Sequence, residues 1–301
     1  MRSVRVEVPA TSANLGPGFE TLGLALDITN VVTAVPGGDD AVLEGGVVDP
    51  HRNLVCDGWH AWRAAHGVDL PGVTFRMEAD IPFGKGLGSS AACILAGVTA
   101  AAACSGPWSA HDVLDVAARL ESHPDNLAAA VMGGLTAAIC DGAGVRALHL
   151  AREIPLDVAL FLPDQALSTA AARHTLPREV PLRDAAFNLG RLGYLAAAVT
   201  AGKWEEMGIA MTDRLHQPYR ASLVPGLTEI MQAALDAGAY GASLSGAGPA
   251  VLALAPLTSG ERIAAAMLRA AHAIPCRGET RVAAVRPFGL TVNTLEHAPE
   301  R

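Results

Sequence analysis

The chain has 301 residues, of which 50% are hydrophobic and 17% are charged. This composition is ordinary for a globular enzyme and excludes disordered and collagen-like chains. The net charge is −8 at pH 7, and the basic residues are scattered, so the attraction to a phosphate backbone on which nucleic-acid binders rely is missing. We expect no nucleic-acid partner, and we expect two domains from the length.

No segment of the sequence is typical of a membrane or secreted protein. The longest stretch without charge or strong polarity, from Ala91 to Cys104, has 14 residues, whereas a membrane span needs about 20 apolar residues. The first residues lead directly into a strand pattern without the apolar segment of a secretory signal. The five cysteines are an odd number and contain no C-x-x-C pair, which favours reduced thiols. We therefore expect a cytoplasmic protein with no membrane partner.

The first half of the chain mixes strands and helices. Runs of alternating or continuously apolar residues bounded by turn signals predict strands, over residues 2–9, 22–35 (ending at a turn over 36–40), 73–79, 135–139 and 157–162. Helical periodicity with start and stop signals predicts helices, over residues 54–66, from Ser89 onward, from a capping box at Ser109 to about Glu121, and over 127–132.

The second half alternates helices and strands. Its predicted helices cover residues 184–201, 204–213, 225–237 and 259–273, and its predicted strands cover 242–245, 251–255 and 281–288. This alternation suits a small sheet that helices cover on one face. We place the domain boundary near Pro155, with one domain over residues 1–154 and a second over 155–301.

The clearest chemical signal is a glycine-rich loop that leads into a helix. It reads Ile81-Pro82-Phe83-Gly84-Lys85-Gly86-Leu87-Gly88-Ser89-Ser90-Ala91-Ala92. Glycines let backbone N–H groups approach an anion, and the helix that follows offers its unpaired N–H groups to phosphate. The loop is neither a Walker A motif nor a dinucleotide fingerprint. The alternative is a tight turn with a serine cap, but the doubled serine favours phosphate.

This loop resembles the second motif of the GHMP kinases, a family named for galactokinase, homoserine kinase, mevalonate kinase and phosphomevalonate kinase. The first family motif resembles Pro9-Ala10-Thr11-Ser12-Ala13-Asn14-Leu15-Gly16-Pro17-Gly18-Phe19, and the third resembles Gly241-Ala242-Ser243-Leu244-Ser245-Gly246-Ala247-Gly248-Pro249. All three occur in the family's order. The resemblance implies a two-domain α+β fold, with an amino-terminal domain like a ribosomal small-subunit protein and a ferredoxin-like carboxyl-terminal domain.

Within that family the first motif is similar to the version in homoserine kinases. So are the segments His123-Pro124-Asp125-Asn126-Leu127, Arg173-His174-Thr175-Leu176-Pro177 and Asp213-Arg214-Leu215-His216-Gln217-Pro218-Tyr219-Arg220. The resemblance implies ATP and Mg²⁺ as cofactors and L-homoserine as the small-molecule substrate, phosphorylated for threonine synthesis. Homodimers are common among such kinases.

The resemblance also assigns the nucleotide and metal residues. It places ATP on the loop and helix start, at Pro82, Phe83, Gly84, Lys85, Gly86, Leu87, Gly88, Ser89, Ser90, Ala91 and Ala92. It places Mg²⁺ on Ser89 and Glu121, which makes both catalytic. Glu121 would otherwise be a solvent-facing acid at a helix carboxyl end, where the dipole disfavours an anion. We interpret Lys85 as a solvated loop charge that could touch a phosphate.

The substrate residues implied by the resemblance are Asn14, Glu20, His123, Asp125, Arg173 and Arg220. Where the family usually has Asp to contact the amino group of the substrate, this chain has Glu20. Asp125 would take the hydroxyl proton or only orient the hydroxyl, and it could instead be a helix N-cap, as Asn126 could. Asn14 could instead form an Asx-turn.

Three arginines are candidates to bind the carboxylate or the phosphate, since a guanidinium offers a planar fork to either group. The resemblance favours Arg173 and Arg220. Arg214 could instead be a solvated surface charge or part of an internal ion pair. Two other functions remain open. The chain could be a related kinase for another alcohol, such as shikimate, mevalonate or a sugar, or a non-catalytic sensor of ATP or an amino acid on the same fold.

Overall fold

The computed structural model of the chain describes residues 2–37, 41–44, 53–121, 123–142, 144–274 and 276–295. Residues 38–40 of the predicted turn lie outside this part of the chain. The strands are β1 Ser3–Ala13, β2 Leu22–Pro36, β3 Ala41–Glu44, β4 Val73–Ala79, β5 Leu135–Cys140, β6 Val145–Ala151, β7 Leu156–Pro163, β8 Gly241–Leu244, β9 Val251–Pro256, β10 Gly278–Ala284 and β11 Thr291–Leu295. The α-helices are α1 Leu54–His66, α2 Ser89–Ser105, α3 Ala110–Ala117, α4 Pro124–Met132, α5 Thr169–His174, α6 Leu182–Thr200, α7 Met207–Ala210, α8 Gln217–Arg220, α9 Leu227–Asp236 and α10 Gly260–His272.

The first sheet is built around the long strand β2. Its strand order is β11-β1-β2-β4-β3, and β5 continues from the other end of β2 to β6. Among the strands that the structure describes, only β3 and β4 pair in parallel. Helix α2 is apolar all round and is buried without interruption from Ala91 to Ala102, as expected for a helix enclosed by other elements. The start of α2 is therefore held in place by the core.

The second sheet is antiparallel, with strand order β10-β7-β9-β8. One face packs on α9 and α10 through a separate apolar cluster that includes Phe161, Ile230 and Met267. The other face contributes Leu160 and Leu252 to the main core. That core runs through both sheets, so the two halves of the protein share one apolar interior.

The predicted boundary near Pro155 falls between β6 of the first sheet and β7 of the second, and it stays a prediction. The carboxyl-terminal strand β11 then returns to the first sheet, where Ser3 pairs with Leu295. The second sheet is thus inserted between strands of the first.

Several predicted elements differ from the structure. The helix predicted to reach Glu121 ends at Ala117 and gives way to three residues of turn. Arg119 N–H and Leu120 N–H bond to carbonyls three residues back, so the apolar spacing continues after the α-helix has ended. The helix predicted over 204–213 is a 3₁₀ turn, Trp204–Glu206, followed by α7. The sequence predictions missed β3, β6, β11, α5 and α8.

Candidate active site

All three motifs meet at one cleft between the halves of the protein. The cleft encloses about 710 Å³ of empty space, part of which is open to solvent. It is lined by Ala13, Asn14, Glu20, Gly84, Gly86, Gly88, Ser89, Ser90, Ala91, Glu121, His123, Asp125, Asn126, Leu167, Thr169, Arg173, Arg220, Gly246, Ala247 and Gly248. Residues that are far apart in the sequence therefore form a single site.

The glycine loop leaves the start of α2 open to a ligand. Gly86 and Gly88 have φ values of +78° and +70°, a left-handed backbone that favours glycine. Gly88 is the N-cap of α2 and offers no side-chain cap, and the first turn contains no acidic residue. The first N–H groups of the helix and its positive dipole end therefore face the cleft without a side-chain anion from that turn.

The third motif holds the glycine loop closely. Ser245 is fully buried, and its hydroxyl lies 2.8 Å from the Gly86 carbonyl and 2.8 Å from Ser12 Oγ. A Cβ atom on Gly86 would lie 2.3 Å from the Ser245 carbonyl oxygen. Any side chain at position 86 would force the two motifs apart.

Asn126 connects Thr11 of the first motif to Asp125. Its Oδ1 accepts a hydrogen bond of 2.8 Å from Thr11 Oγ1, and its Nδ2 donates to Asp125 Oδ1 at 3.2 Å. A Cβ on Gly88 would lie 2.1 Å from Thr11 Oγ1. The N-cap interpretation is wrong for both Asp125 and Asn126, because α4 begins at Pro124 and its N-cap is His123.

Asp125 is a buried carboxyl group beside other acids. Only 2% of the residue is exposed, and desolvation by burial raises the pKa of its carboxyl to about 6. The backbone N–H of Asn126, 2.7 Å from Oδ1, and the nearby His123 act in the opposite direction, while Glu20 and Glu121 raise the pKa further. An acid with this pKa can exchange a proton near neutral pH.

A chain of side chains follows the edge of the cleft from Glu121 to Glu20. The Nδ1 atom of His123 bonds to Glu121, and Arg173 Nε donates to His123 Nε2 at 3.1 Å. Arg173 Nη2 donates to Glu20 Oε1 at 2.5 Å. The hydrogen bond to Glu121 raises the pKa of His123 above its ordinary value, while burial opposes this. Glu121, which is predicted to bind the metal, thus also holds His123, which is predicted to bind the substrate.

Arg220 is a buried cation that lines the cleft. It is 2% exposed, and its guanidinium donates to the carbonyls of Ala172 and Gly246 and to His216 Nδ1. In the described part of the chain no carboxylate forms a salt bridge with it. Burial lowers the pKa of its guanidinium. A buried charge without an ion partner is costly, which favours an anionic ligand at this position.

Asn14 and Lys85 bind other parts of the protein. Asn14 Nδ2 donates to the Gly246 carbonyl at 2.9 Å, and its Oδ1 accepts from Glu20 N–H at 3.1 Å. The Asx-turn alternative is wrong, because the Asn14 side chain bonds to the backbone of Glu20, six residues on, and not to the backbone two residues on. Lys85 Nζ donates to the carbonyls of Pro163, Asp164 and Gln165. The interpretation of Lys85 as a solvated charge is wrong, because these three carbonyls hold its ammonium group.

Some predicted site residues do not line the cleft, and some lining residues were not predicted. Five predicted nucleotide residues are not among its lining residues: Pro82, Phe83, Lys85, Leu87 and Ala92. Leu87 and Ala92 are buried in the core. Seven residues line the cleft although they were not predicted as site residues: Ala13, Asn126, Leu167, Thr169, Gly246, Ala247 and Gly248. Asn126 and Ala247 lie inside the quoted motifs, which was a usable signal, whereas Leu167 and Thr169 follow β7 without one. Arg214 bonds to Asp184 at 3.3 Å, as expected of an internal ion pair.

The donors for a magnesium ion are few. Glu121 and Ser89 both line the cleft, and the Glu121 side chain is 16% exposed. Among the described residues no group of three or more His, Cys, Asp or Glu side chains surrounds a point that a metal could occupy. A carboxylate and a hydroxyl fit Mg²⁺, which takes most of its ligands from water and substrate phosphates in such sites.

No described helix is long and apolar enough to cross a membrane.

Family models match both halves of the chain. The model of the GHMP kinases N terminal domain matches residues 53–134, and the model of the GHMP kinases C terminal matches residues 195–273. The first match contains the glycine loop and Asp125, and the second contains Arg220 and the third motif.

Curated relatives and solved structures agree with these models. The chain is 41% identical to a homoserine kinase from Desulfitobacterium hafniense over 286 residues, which cover 91% of this chain and 95% of the relative. It is 45% identical to a homoserine kinase from Thermus thermophilus over 83% of this chain and 86% of the relative. The crystal structure of homoserine kinase from Cytophaga hutchinsonii superposes with a TM-score of 0.88 at 29% identity and covers 97% of this chain and 98% of that one. With both domains matched and relatives of this identity spanning most of its length, the chain belongs to the homoserine kinases of the GHMP kinase family.

Proposed function

We propose that this protein transfers the γ-phosphoryl group of ATP to the side-chain hydroxyl of L-homoserine, giving O-phospho-L-homoserine for threonine synthesis. The observation that carries the proposal is the arrangement of charge in the cleft. Two arginines, Arg173 and Arg220, and two acids, Glu20 and Asp125, line the same cavity as the glycine loop. An amino acid carries one carboxylate and one ammonium group, and this set of charges complements both.

The glycine loop and the start of α2 bind the triphosphate of ATP in this proposal. Backbone N–H groups at the amino end of a helix attract phosphate oxygens, and the left-handed backbone at Gly86 and Gly88 keeps the loop close to them. The Ser245 hydroxyl bonds to the Gly86 carbonyl and the Thr11 N–H bonds to the Leu87 carbonyl, and these two bonds hold the loop in this shape before ATP binds.

Arg220 and Arg173 bind the substrate carboxylate, and Glu20 binds the ammonium group. Arg220 has no carboxylate salt bridge within the described residues, so a substrate carboxylate would complete its set of partners. Arg173 is already bonded to Glu20. Because the substrate carries both charges, it can bind between these two side chains and give each a new partner of opposite charge.

Ser89 and Glu121 would hold Mg²⁺, which offsets the negative charge of the β- and γ-phosphates when it is bound. The hydroxyl of Ser89 has no hydrogen-bond partner in the part of the chain that the structure describes. Glu121 keeps one carboxylate oxygen on His123 and has a second oxygen for a metal.

Phosphoryl transfer needs mainly positioning and charge stabilisation, because the transition state is loose. Asp125 lies beside His123 and Glu20, where it would orient the homoserine hydroxyl or take its proton. A pKa of about 6 keeps it largely ionised at neutral pH, as either role requires. If it only orients the hydroxyl, the proton passes to the transferred phosphate.

An ADP-release assay tests the proposal. Purified protein with ATP and Mg²⁺ is given L-homoserine, L-serine, L-threonine, shikimate, mevalonate or galactose in parallel reactions. We expect turnover with L-homoserine to exceed that with every other alcohol by orders of magnitude. Turnover that prefers another alcohol would overturn the substrate, and ATP binding without turnover would favour the sensor alternative.

Two further properties belong to this proposal. A cytoplasmic location follows from the use of ATP in amino-acid synthesis and fits the five free cysteines. A homodimer follows from the resemblance to dimeric kinases, and light scattering coupled to size-exclusion chromatography would measure the mass of the particle in solution.

A further inference from the structure

His216 is fully buried next to Arg220, yet it does not line the cleft. Its Nε2 lies 2.7 Å from the Gly16 carbonyl oxygen, and its Nδ1 lies 3.2 Å from Arg220 Nη1. The ring stacks on Phe19 with centroids 5.2 Å apart. His216 therefore joins the loop of the first motif to the buried arginine.

These contacts define the protonation state of the ring. A carbonyl oxygen only accepts, so Nε2 carries the proton, and a guanidinium only donates, so Nδ1 carries a lone pair. The ring is neutral in this arrangement. Burial lowers the pKa of His216, and so does Arg220, while Asp213, Glu20 and the Gly16 carbonyl oppose the shift. A proton on Nδ1 would point at a guanidinium.

The Asp213 carboxylate bonds to the backbone at His216, and its Oδ2 also lies 3.6 Å from the ring Nε2. The carboxylate of Asp213 accepts from the N–H groups of His216 and Gln217, at 3.1 Å and 2.7 Å, and from Asn188 Nδ2 at 2.7 Å. These bonds set the turn that begins α8, and α8 carries Arg220 at its end. The ring can thus be replaced without removing the bonds that form this turn.

We propose that His216 is a positioning residue that directs the Arg220 guanidinium toward the substrate carboxylate. Its neutral ring accepts from Nη1 and is itself held by Gly16, so two motifs jointly set the orientation of the arginine. This inference rests on the proposed function, in which Arg220 binds the carboxylate of L-homoserine. The loop of the first motif then contributes to recognition of L-homoserine through His216, which does not need to contact the substrate.

The test compares three substitutions that separate the two hydrogen bonds. His216→Phe keeps a ring to stack on Phe19 and loses both bonds. His216→Asn places an acceptor near the position of Nδ1, whereas His216→Gln places a donor near the position of Nε2. We expect the KM for L-homoserine to rise about tenfold in the Phe and Gln variants and to return to within about threefold of wild type in the Asn variant. A tenfold change corresponds to about 1.4 kcal/mol.

The KM for ATP distinguishes positioning from general damage, and we expect it to stay within about twofold in all three variants. His66→Phe is the matched control, because His66 also stacks on an aromatic ring, that of Trp62, outside the cleft. Equal homoserine KM values in the Asn and Gln variants, or equal rises in both KM values, would overturn the positioning role even if the Phe variant failed to fold. Wild-type turnover is measured first. If the wild-type protein does not turn over L-homoserine, both the proposed function and the positioning role of His216 are overturned. If the wild-type protein turns over normally but the KM for L-homoserine is unchanged in the variants, only the positioning role is overturned.

Discussion

Arg173 and Glu20 form an ion pair across the cleft, with 2.5 Å between Nη2 and Oε1, although 153 residues separate them in the sequence. The side chains of Arg173 and Glu20 are 40% and 34% exposed, so the ion pair by itself adds little stability. Its position inside the site is the important property, because each partner carries the charge opposite to one end of an amino acid.

We expect Glu20→Gln to raise the KM for L-homoserine about tenfold, since the substrate ammonium loses a charge-assisted hydrogen bond. Glu20→Asp is the matched control. It keeps the charge, and Asp accepts the positive φ of this residue, +60°, more readily than Glu does. Steady-state kinetics with L-homoserine as the varied substrate measure both. A Gln variant with the wild-type KM would remove Glu20 from the recognition of the ammonium group.

Arg220→Leu should raise the KM for L-homoserine at least about tenfold, because a charge-assisted bond of roughly 1.5–3 kcal/mol to the carboxylate is lost. The KM for ATP should stay near wild type. Arg220→Lys keeps a positive charge without the planar fork, so we expect it to recover only part of the loss. If the leucine variant bound L-homoserine normally, the carboxylate would have to bind elsewhere.

The raised pKa of Asp125 predicts that the activity depends on pH. Its pKa is raised to about 6 by burial, and the ionised form is the one that accepts or orients the hydroxyl proton. We therefore expect kcat/KM for L-homoserine to fall as the pH drops through about 6, and this fall to be absent in Asp125→Asn. The size of the loss in kcat at pH 8 separates the two roles. A loss of 100-fold or more supports a general base, and retention of most of kcat excludes one.

The same carboxyl group predicts a gain in stability when its charge is removed. Its pKa in the folded protein, about 6, lies above its ordinary value of 3.8, so the ionised form is disfavoured by folding. We expect Asp125→Asn to raise the free energy of unfolding at pH 7 by up to about 3 kcal/mol, since one pKa unit is about 1.4 kcal/mol. The gain should decline as the pH falls from about 6 toward 4, where the wild-type carboxyl is protonated in the folded state.

Urea denaturation at several pH values measures this gain. Asp69→Asn is the control. The Asp69 side chain is fully exposed and its ion pair with Arg63, at 3.5 Å, lies at the surface, where such pairs add little stability, so we expect this variant to keep a free energy of unfolding near that of wild type. A destabilised Asp125→Asn protein at pH 7 would show that the hydrogen bonds to Asn126 outweigh the cost of burying the charge.

Glu121→Gln should raise the Mg²⁺ concentration needed for half-maximal activity at least about tenfold and lower kcat. The amide oxygen of Gln can still accept from His123, so the effect isolates the loss of an anionic ligand. Titration of activity with MgCl₂ at saturating ATP measures it, and Ser89→Ala should shift the same titration in the same direction. An unchanged Mg²⁺ dependence in the Gln variant would remove Glu121 from the metal site.

Local signals predicted local structure well. The bounds of α1 and β4 agree with the prediction to the residue, and the capping box at Ser109 is present, because each depends on neighbours within a few positions. The strands β3 and β11 escaped prediction because short strands depend on partners elsewhere in the chain: β3 pairs with β4 and β11 with β1.

In the site, too, local sequence patterns predicted the residues but not their contacts. The quoted motifs contain most residues that line the cleft, so their identity was predictable. Their partners were not, because each partner lies far away in sequence: Asn14 bonds to Gly246, Lys85 to the segment after β7, and His216 to Gly16. These contacts arise only when the two sheets pack on a common core. Sequence patterns therefore named the residues, and tertiary packing decided which of them face a ligand.

The return of β11 to the first sheet has a consequence for any attempt to divide the protein. With β11 in place, β1 has a hydrogen-bonded neighbour on each side. A fragment that ended at residue 154 would lack β11 and would leave the backbone of β1 as an open edge, with valines at positions 4, 6 and 8 along it. Unprotected edges of this kind pair with other chains, so aggregation is the expected fate of the isolated first half.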